Sequence, residues 1–401
     1  MALVPVAEAL ERMLAGVEAG ASETVAIADA AGRVLAAPLH ALRTQPPFSA
    51  SAMDGYAVRA ADVATVPARL SITGTAAAGR LFAGSVGPGE AVRIFTGAPV
   101  PDGADTIAIQ ENVRASGDDI VEVLVSVARG RHIRPVGMDF TEGALLLAQG
   151  RLLDPAALSL AASANHAAVP VVRRPLVALI ATGDELLPPG STTGPDQIIA
   201  SNSFGVGAIA RQAGAEVLDL GIVPDRLALI EAAVARAIAA GADVVVTLGG
   251  ASVGDHDLVH RVLVGLGMEL GFWKIAMRPG KPLMYGLLGN TRCLGLPGNP
   301  VASLVCSHLF LKPLLMRLGG RPVLDETIAA TLAADVPAND LRQDYVRASM
   351  TRTADGLAVT PFGVQDSSML KVLADADCLL IRAPFAPAAR AGDACRVITL
   401  R

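Results

Sequence analysis

The spacing of apolar residues changes along the chain, and each change predicts a different kind of element. Near the N-terminus the apolar positions recur at helical spacing, at Val4, Ala7, Leu10, Leu14 and Val17. Because that period places them on one face of a helix, residues 1–42 are predicted to be mostly helical. Residues 143–172 are again rich in Leu and Ala, and Asp154 followed by Pro155 predicts a helix N-cap and a first helical position.

Between these two stretches, residues 43–142 have the pattern of short strands. Runs rich in branched residues are separated by Gly, Pro and Asp, as in ARLSITG, AVRIFTG, DTIAIQENV and DIVEVLVSV. This pattern is typical of β-strands joined by turns. We therefore predict a β domain at 43–142, inserted into a split, elongated helical domain made of residues 1–42 and 143–172.

A new alternation begins near residue 173. Strand PLVALIA, helix NSFGVGAIARQAG, strand AEVLDL, a helix after Asp225 and strand DVVVTL follow one another, with Gly214 expected to end the first helix. Alternating strands and helices predict a parallel sheet covered by helices on both faces, so residues 173–320 should form a doubly wound α/β domain. Residues 321–401 return to short strands and predict a small barrel or sandwich.

Composition narrows the class of protein. Hydrophobic residues make up 52% of the 401 residues and charged residues 18%, which supplies ample material for buried cores. The net charge of −5 argues against a general nucleic-acid binder, and only 3% aromatic residues leave no platform for stacking single-stranded bases. We therefore expect no nucleic-acid partner.

The sequence also bears on the compartment. The N-terminus has no basic region followed by an apolar stretch, so it predicts a helix start rather than a signal peptide. No uninterrupted apolar run reaches about 18 residues, so no membrane helix is expected. The four cysteines form no CxxC pair and are expected to be free thiols, which together predicts a cytoplasmic protein.

The segment GGASVGDHD (249–257) follows the last predicted parallel strand, where ligands bind in such sheets. Gly249, Gly250 and Gly254 allow the backbone amides to surround an anion, and Ser252 adds a hydroxyl donor. Asp255 and Asp257 are suited to holding Mg²⁺ against phosphates. A tight turn with Asp257 capping the next helix explains the same residues equally well.

Two further loops carry groups that suit an oxyanion. In LPGNPVAS, Asn299 is predicted at a helix N-cap and Pro300 at the first position, where Pro297, Gly298, Asn299 and the first amides are suited to an anion. The segment WKIAMRPGKP supplies Lys274, Arg278 and Lys281 around Gly and Pro turns. Cations placed there in an acidic protein favour a phosphate or oxyanion site over a solvated face.

Five further positions have a structural explanation beside a functional one. Asp184 and Glu185 of TGDEL follow a predicted strand, and Asp225 precedes a helix; each Asp is suited to capping, and each carboxylate also to binding a ligand at the sheet edge. Asp54 and Thr96 both precede Gly, so spacing alone predicts turns there.

The segments together resemble one enzyme family. SAMDGYAV (51–58), IFTGAPVPDGAD (94–105), GGASVGD (249–255), PGKP (279–282) and LPGNPVAS (296–303) are hallmarks, in the same order, of the molybdopterin molybdenumtransferases of the bacterial MoeA type, the family that includes the E domain of gephyrin. The resemblance covers essentially the whole chain. It implies a homodimer whose chains have a split helical domain, an inserted β domain, a molybdopterin-binding α/β domain and a C-terminal β-barrel.

The resemblance also implies a reaction. The family takes adenylylated molybdopterin and molybdate, cleaves the phosphoanhydride, releases AMP and joins molybdenum to the dithiolene, with Mg²⁺ or Zn²⁺ as cofactor. Transient contacts with a molybdopterin adenylyltransferase and with recipient molybdoenzymes are implied as well. A membrane partner is not expected.

Individual roles follow from the same resemblance. Asp54 and Thr96 are expected to reach the partner chain's α/β domain, with Asp54 also near the metal together with Asp255 and Asp257. Lys274, Arg278 and Lys281 are expected to hold phosphate or molybdate, and Arg347 and Ser367 to hold the molybdate. The remaining residues are expected at the pterin and nucleotide: Glu185, Asp225, Gly249, Gly250, Ser252, Gly254, Pro297, Gly298 and Asn299.

Three positions depart from the family pattern. Arg278 stands where the family often has Lys, Met138 where relatives commonly have Glu, and Ala200 where an Asp is usual. Two other hypotheses therefore stand beside the transferase. One is a non-catalytic scaffold or partner-specific paralogue, and the other is the adenylyltransferase that shares the α/β fold but not the β domain or the barrel.

Overall fold

A computed structural model describes residues 3–117, 119–249, 258–354 and 356–400. The chain divides into two compact units, which are treated separately below. We call Thr24–Ala31 with Ala37–Pro170 the β-rich unit, and Met1–Glu23, Gly32–Ala36 and Val171–Arg401 the α/β–barrel unit.

The helices are few and mostly short. In chain order they are α1 (Val6–Leu14), α2 (Pro155–Ser163), α3 (Asn202–Gln212), α4 (Leu227–Ala239), α5 (Leu258–Gly265), α6 (Pro300–Cys306), α7 (Lys312–Leu318) and α8 (Leu370–Asp375). Single 3₁₀ turns occur at Ile27–Asp29, Ala60–Val63 and Gln110–Asn112, and the π-helical segment Ser307–Leu311 joins α6 to α7.

Strands carry most of the architecture. Up to residue 172 they are β1 (Ser22–Ala26), β2 (Leu39–His40), β3 (Ala50–Ser51), β4 (Gly55–Val58), β5 (Ala68–Ala76), β6 (Glu90–Ile94), β7 (Thr106–Ile109), β8 (Val113–Ala115), β9 (Ile120–Val123), β10 (Ile133–Arg134), β11 (Leu145–Leu147) and β12 (Ala168–Val172). Beyond it they are β13 (Leu176–Thr182), β14 (Leu186–Leu187), β15 (Ile198–Ile199), β16 (Glu216–Val223), β17 (Val244–Leu248), β18 (Glu269–Trp273), β19 (Met277–Arg278), β20 (Met284–Leu288), β21 (Thr291–Leu296), β22 (Thr327–Leu332), β23 (Gln343–Thr353), β24 (Gly356–Pro361), β25 (Cys378–Arg382) and β26 (Ala394–Thr399).

The prediction of a mostly helical N-terminal stretch is wrong. Of the described residues 3–42, only those of α1 form an α-helix, and β1, a 3₁₀ turn and β2 follow it. The apolar period that includes Val17 continues past the end of the helix at Leu14. The helix nevertheless ends there, because Ala15 is extended and Gly16 takes a positive φ of 65°. In the second predicted stretch, α2 begins as expected: Asp154 accepts the Ala157 amide at 2.9 Å, and Pro155 is the first helical residue.

In the β-rich unit a six-stranded sheet has the order β7-β4-β6-β5-β9-β8. The predicted strands of residues 43–142 are therefore present. Strands β4 and β6 are antiparallel with Gly55 opposite Ile94, so Asp54, before β4, lies beside the residues that follow β6. Gly55 is needed for close approach, because a Cβ there would lie 2.1 Å from the carbonyl oxygen of Ala108 on β7.

The predicted doubly wound sheet is present in the α/β–barrel unit, with the order β16-β13-β17-β21-β20-β18. The first four strands are parallel, and β20 and β18 extend the sheet antiparallel. Successive residues of β13 pack into two different cores, Val177 and Leu179 into one and Ala178 and Ile180 into the other. Burial on both faces explains why the strand reads as an unbroken apolar run.

The C-terminal strands close into a barrel, which was one of the two predicted alternatives. The sheet order is β19-β23-β24-β22-β26-β25, and β25 also pairs with β23, which closes the ring. Strand β19 joins the outside of this ring through a parallel pairing with β23 that sets Arg278 opposite Asp344. That pairing brings the segment after β18 to the start of β23.

One helical run of the described residues, Pro300–Leu318, is long and apolar enough to cross a membrane by length and composition. The sequence had predicted none. Within the fold 67% of the run is buried, and residues such as Phe310 and Leu314 belong to the main core. Burial of that extent is what the core helix of a globular domain shows.

Candidate active site

Three loops meet at the carboxyl edge of the parallel strands. Gly249, after β17, has φ +103°, and a Cβ there would lie 2.8 Å from the carbonyl oxygen of Thr182 at the end of β13. A Cβ on Gly298, after β21, would lie 3.8 Å from the Cα of Gly249. Since the backbones approach so closely, this edge tolerates only glycine at 249. Gly250, Ser252, Gly254, Asp255 and Asp257 were predicted to belong here but lie outside the described residues.

Carboxylates gather at the next loops of the same edge. The Asp184 side chain accepts a hydrogen bond from the backbone amide of Asp225 at 3.1 Å. Partial burial, and then the negative charges of Asp184 and Glu185, raise the pKa of Asp225 above its ordinary value. The three carboxyl groups therefore share one electrostatic environment, as a sheet-edge ligand site requires.

Neither aspartate caps a helix. Asp184 lies in a turn that leads into the short strand β14, and the N-cap position of α4 is Arg226, with no side-chain capping bond. The capping explanation of Asp184 and Asp225 is therefore wrong. The Asp184 carboxylate instead holds the backbone of the neighbouring loop, which leaves the Asp225 side chain at the edge.

The LPGNP loop forms the predicted helix start but uses its polar groups differently. Asn299 is the N-cap residue of α6 and Pro300 is its first residue, yet the Asn299 side chain makes no capping bond. Its Nδ2 donates to Ser367 Oγ at 2.8 Å, and the Val301 amide donates to the Ser367 carbonyl at 3.1 Å. Side-chain capping by Asn299 is therefore wrong, because the side chain links the helix start to a barrel loop.

The same loop is fixed from the other side. Asn202, the first residue of α3, donates from Nδ2 to the carbonyl oxygen of Gly298 at 2.8 Å. Pro297 before it is buried, whereas Gly298 and Asn299 are exposed. Gly298 and Asn299 therefore stay fixed while facing the sheet edge.

Lys274 and Lys281 lie on adjacent backbone. The Ile275 amide donates to the Lys281 carbonyl at 2.9 Å, and the Lys274 amide donates to the Leu283 carbonyl at 3.2 Å. Neither ammonium group forms an ion pair with any described residue. Lys274 has φ +90°, a conformation that costs a residue with a side chain free energy, so this segment is held in place by its surroundings.

Arg278 is differently placed, because its guanidinium is already paired. Nε donates to Asp344 Oδ2 at 3.0 Å, Nη2 reaches the same oxygen, and Nη1 lies 3.5 Å from Asp340. The hydrogen bond with Asp344 raises the pKa of Arg278 further above its ordinary value. The structure thus gives this cation two acidic partners.

Arg347 is a buried cation whose guanidinium is only partly satisfied. The residue is 2% exposed, Nη2 donates to the carbonyl of Asp366 at 3.1 Å, and Nε has no hydrogen-bond partner among the described residues. Burial lowers the pKa of Arg347, and the nearby Asp366 and Asp344 oppose that effect. A buried guanidinium with a free donor is suited to receiving an anion.

A cavity of about 540 Å³ lies beside this arginine. Arg278, Asp344, Arg347 and Gln365 are among its lining residues. Asp366, which accepts from Arg347, directly precedes Ser367, which accepts from Asn299. The structure therefore connects the predicted oxyanion residues Arg347 and Ser367 to the LPGNP loop.

Asp54 and Thr96 form a pair in the β-rich unit. Asp54 Oδ1 accepts both the Thr96 amide at 2.7 Å and the Thr96 hydroxyl at 2.8 Å. The amide bond first, then the hydroxyl bond, lowers the pKa of Asp54, and the charge of Arg93 adds to the effect. Asp54 is thus an exposed carboxylate kept ionised and oriented, and the prediction of plain turns at these positions is incomplete.

Comparison with known proteins identifies the chain. Three family models match it: the MoeA N-terminal region (domain I and II) at residues 4–165, a probable molybdopterin binding domain at 178–317 and the MoeA C-terminal region (domain IV) at 329–400. A Bacillus subtilis molybdopterin molybdenumtransferase is 35% identical over 94% of this chain and 90% of its own length. A Haemophilus influenzae protein of the same name is 34% identical over 90% of this chain and 89% of its own.

The chain belongs to the molybdopterin molybdenumtransferase family. Solved structures agree with that assignment. Two structures of a molybdopterin biosynthesis MoeA protein from Pyrococcus horikoshii match with TM-scores of 0.83 and 0.82 at 29% and 26% identity. They cover 100% and 99% of both chains, so the α/β and barrel architecture predicted from the sequence is confirmed as the fold of the family.

For a molybdopterin molybdenumtransferase, a divalent cation is part of the expected chemistry, so its fit matters. Among the described residues no three His, Cys, Asp or Glu side chains lie close enough together to hold a metal ion. Thr96 donates two hydrogen bonds to Asp54 Oδ1, which leaves Oδ2 as the one oxygen of this carboxylate without a hydrogen bond from a described residue. The described part of the chain therefore does not form a metal cage, and metal binding by Asp54 with Asp255 and Asp257 stays a prediction.

The three departures from the family pattern lie in distinct surroundings. Arg278 has acidic partners, as described above. Ala200 is buried beside a small cavity that Asn202 and Gly298 also line. Met138 is 66% exposed and lines a larger cavity in the β-rich unit.

Sequence reasoning missed several residues that shape the site. Asp344 and Asp340 hold Arg278, Asn202 holds Gly298, and Arg93 lies between the rings of Tyr56 and Phe95, 5.0 and 5.2 Å from their centroids. The only available signal for Asp344 was its place three residues before Arg347. Its pairing with Arg278 depends on the register of β19 and β23, which the local sequence does not encode.

Proposed function

We propose that this chain inserts molybdenum from molybdate into adenylylated molybdopterin, with release of AMP. Family membership makes it a transferase of molybdenum cofactor biosynthesis, and the observation that carries the finer proposal is the Arg347 guanidinium. That group is buried, has an unused Nε donor and lines a cavity large enough for a tetrahedral oxyanion. A buried cation gains most from an anion that enters its site, because little water competes there.

Each group at the site has a proposed part in the reaction. Arg347 and Ser367 bind molybdate, and Lys274, Arg278 and Lys281 neutralise the phosphate charge that develops as AMP leaves. Such electrostatic stabilisation contributes several kcal/mol in comparable sites. Glu185, Asp225, Gly249, Pro297, Gly298 and Asn299 hold the pterin and nucleotide, together with Gly250, Ser252 and Gly254.

Asp54 is proposed to orient the oxygen that attacks the phosphoanhydride. Two hydrogen bonds from Thr96 keep its Oδ1 ionised and fixed in direction, while no described residue hydrogen-bonds Oδ2. A divalent cation, Mg²⁺ or Zn²⁺, supplies counter-charge to the phosphates when bound. Loss of AMP release on chelation, restored by one of these ions, would identify the ion that is used.

We further propose a homodimer in which Asp54 and Thr96 of one chain complete the site of its partner. Two large apolar residues next to Asp54 and Thr96 in the chain are exposed to solvent, Met53 at 39% and Phe95 at 40%. Contact with a second chain would cover them. The proposed location is the cytoplasm, with transient contacts to the adenylyltransferase and to recipient molybdoenzymes.

Mixing two inactive variants tests the shared site. Asp54→Ala and Arg347→Met should each abolish AMP release, and unfolding and refolding them together should recover about a quarter of wild-type activity. Half the random dimers then pair an intact Asp54 with an intact Arg347 at one of two sites. If each chain used its own Asp54, the mixture would stay inactive, even though both single variants were folded.

A further inference from the structure

The α/β–barrel unit contains a second cavity, which is lined by none of the residues that have a proposed part in molybdenum transfer. Its volume is about 430 Å³, and cavities of this size are large enough for small organic ligands. Residues of α3, α6, the π-helical segment and α8 line it, together with Leu400 near the C-terminus. The cavity therefore lies where helices of the α/β domain meet the small helix of the barrel.

One face of α3 forms a wall of this cavity. Gly205, Ala208, Ile209 and Gln212 lie on that face at intervals of three and four residues, and all four line the cavity. A Cβ on Gly205 would lie 2.6 Å from Leu304 Cδ2 of α6, so glycine is needed where these two helices approach. One turn further along α3, the small side chain of Ala208 leaves the space open.

The lining of the cavity favours an uncharged ligand. Ile209 and Ala376 are buried, Leu304 and Leu373 are half-buried, and all four present aliphatic surface. Among the described residues that line the cavity, no Asp, Glu, Lys or Arg occurs. A charged group would lose water there without gaining a counter-charge, which costs free energy, whereas an apolar group gains from burial.

One polar ring lies among these apolar residues. His308, in the π-helical segment, lines the cavity, and its imidazole forms no hydrogen bond or ion pair with a described residue. Burial lowers the pKa of His308 to about 4, the charge of Lys312 adds to that effect and Glu326 opposes it, so the ring is neutral at neutral pH. A neutral imidazole has one donor and one acceptor, and a hydroxyl group is a matching partner for either.

We propose that this cavity binds a small uncharged molecule with an apolar body and one hydroxyl group, as phenols and cyclic alcohols have. The hydroxyl forms a hydrogen bond with the His308 imidazole, and Ile209 and Leu373 pack against the apolar body. The inference goes beyond the proposed function, because binding at this cavity requires neither molybdate nor adenylylated molybdopterin.

Fluorine NMR titrations of the full-length protein at neutral pH test this site, with 4-fluorophenol as the probe. We expect saturable binding of the probe. Fluorobenzene, which lacks the hydroxyl, and 4-fluorobenzoate, which carries a negative charge, should each bind about tenfold more weakly. Phenol and cyclohexanol then compete with the probe, and whichever displaces it at the lower concentration shows whether a flat or a puckered ring fits better.

Three substitutions locate the bound probe. His308→Leu removes the imidazole but keeps an apolar side chain, so it should weaken 4-fluorophenol about tenfold and leave fluorobenzene within about twofold of wild type. Ala208→Phe fills the cavity from an exposed position on α3 and should abolish binding of both molecules. Ala232→Phe, at an exposed position on α4 outside the lining, is the matched control and should leave both affinities unchanged. Both alanines are exposed, so neither substitution disturbs the core.

Three results would overturn the proposal. The first is the absence of saturable binding of 4-fluorophenol to the wild-type protein. The second is equal affinity for 4-fluorophenol in the wild-type protein and in the Ala208→Phe variant, which would place the probe elsewhere. The third is equal affinity of the wild-type protein for 4-fluorophenol and fluorobenzene, which would exclude recognition of the hydroxyl. None of these measurements involves AMP release, so the proposed transferase activity could stand or fall separately.

Discussion

Arg278 and Asp344 lie opposite each other in the register of β19 and β23, and the guanidinium of the first holds the carboxylate of the second. The side chain of Arg278 is 48% exposed, whereas that of Asp344 is 9% exposed. The second carboxylate oxygen, Asp344 Oδ1, is buried without a partner among the described residues. Asp344 therefore depends on Arg278 far more than Arg278 depends on Asp344.

Substitution of Arg278 should therefore destabilise the fold, because Asp344 would lose its charged partner. Arg278→Ala leaves a buried carboxylate without its counter-charge and should lower the free energy of unfolding by about 2–3 kcal/mol. Arg396→Ala, which breaks a pair with Asp325 exposed on both sides, should cost less than about 1 kcal/mol. Urea unfolding of both variants measures the two changes in the free energy of unfolding. Equal changes would contradict the prediction.

Arg347 should contribute more to molybdate binding than to the free energy of unfolding. Its buried guanidinium makes one side-chain hydrogen bond and leaves Nε unpaired, so Arg347→Met should change the free energy of unfolding by no more than about 1 kcal/mol. Molybdate binding, measured by calorimetry, should be lost in the same variant. A large loss of stability with molybdate binding retained would show that the residue is structural.

The backbone of Lys274 offers a test of stored strain. With φ +90°, Lys274→Gly should be about 1 kcal/mol more stable than Lys274→Ala, because only glycine adopts this conformation without steric cost. Both variants lack the ammonium group and should lose AMP release alike. Chemical denaturation measures the first difference, and its absence would mean that the segment has relaxed to another conformation.

Ser367 should contribute modestly to the free energy of unfolding and strongly to the KM for molybdate. Ser367→Ala removes the hydroxyl that accepts from Asn299 at 2.8 Å, at a cost of about 1 kcal/mol. Its effect on the KM for molybdate should be much larger than that of Ser349→Ala, a barrel hydroxyl that donates to the Thr360 carbonyl at 3.4 Å. Equal KM values in the two variants would remove Ser367 from the oxyanion site.

His308, in the π-helical segment, should make stability depend on pH. Burial lowers its pKa from 6.5 to about 4, and the charge of Lys312 adds to that effect. Between these two values the unfolded chain binds a proton that the folded chain does not, so the free energy of unfolding should fall as pH drops from about 6.5 to 4. The contribution is at most about 3 kcal/mol.

A matched variant isolates this contribution. His308→Gln cannot titrate, so the part of the slope that belongs to His308 should disappear from its urea midpoints between pH 4 and pH 6.5. Unchanged slopes in the two proteins would show that other groups carry the dependence.

The strands and the α/β alternation could be predicted from the sequence because their signal is local. Strand β13 is buried on both faces and so reads as an unbroken apolar run, and α2 carries its own cap in Asp154 and Pro155. The prediction for the first 42 residues was wrong because the apolar period continues beyond the helix, which ends at Leu14 as Ala15 becomes extended.

The sequence predicted which residues belong to the candidate site, and that membership stays a prediction; their contacts could not be predicted. Resemblance to the family pointed to Arg347, Ser367 and Asn299, yet only the fold shows Asn299 bonded to Ser367 instead of capping its helix. The Arg278–Asp344 pair spans 66 positions and depends on strand register. Local sequence carries no record of such pairings, so structure was needed to find them.

Molybdate-dependent release of AMP tests the central proposal most directly. Purified protein would be incubated with adenylylated molybdopterin and Mg²⁺, with and without molybdate, and AMP followed by chromatography, with Arg347→Met as the matched control. We expect AMP release that requires molybdate in the wild-type protein and is absent in the variant. Nucleotide that binds but stays intact with molybdate present, or AMP release equal in both proteins, would contradict the proposed function.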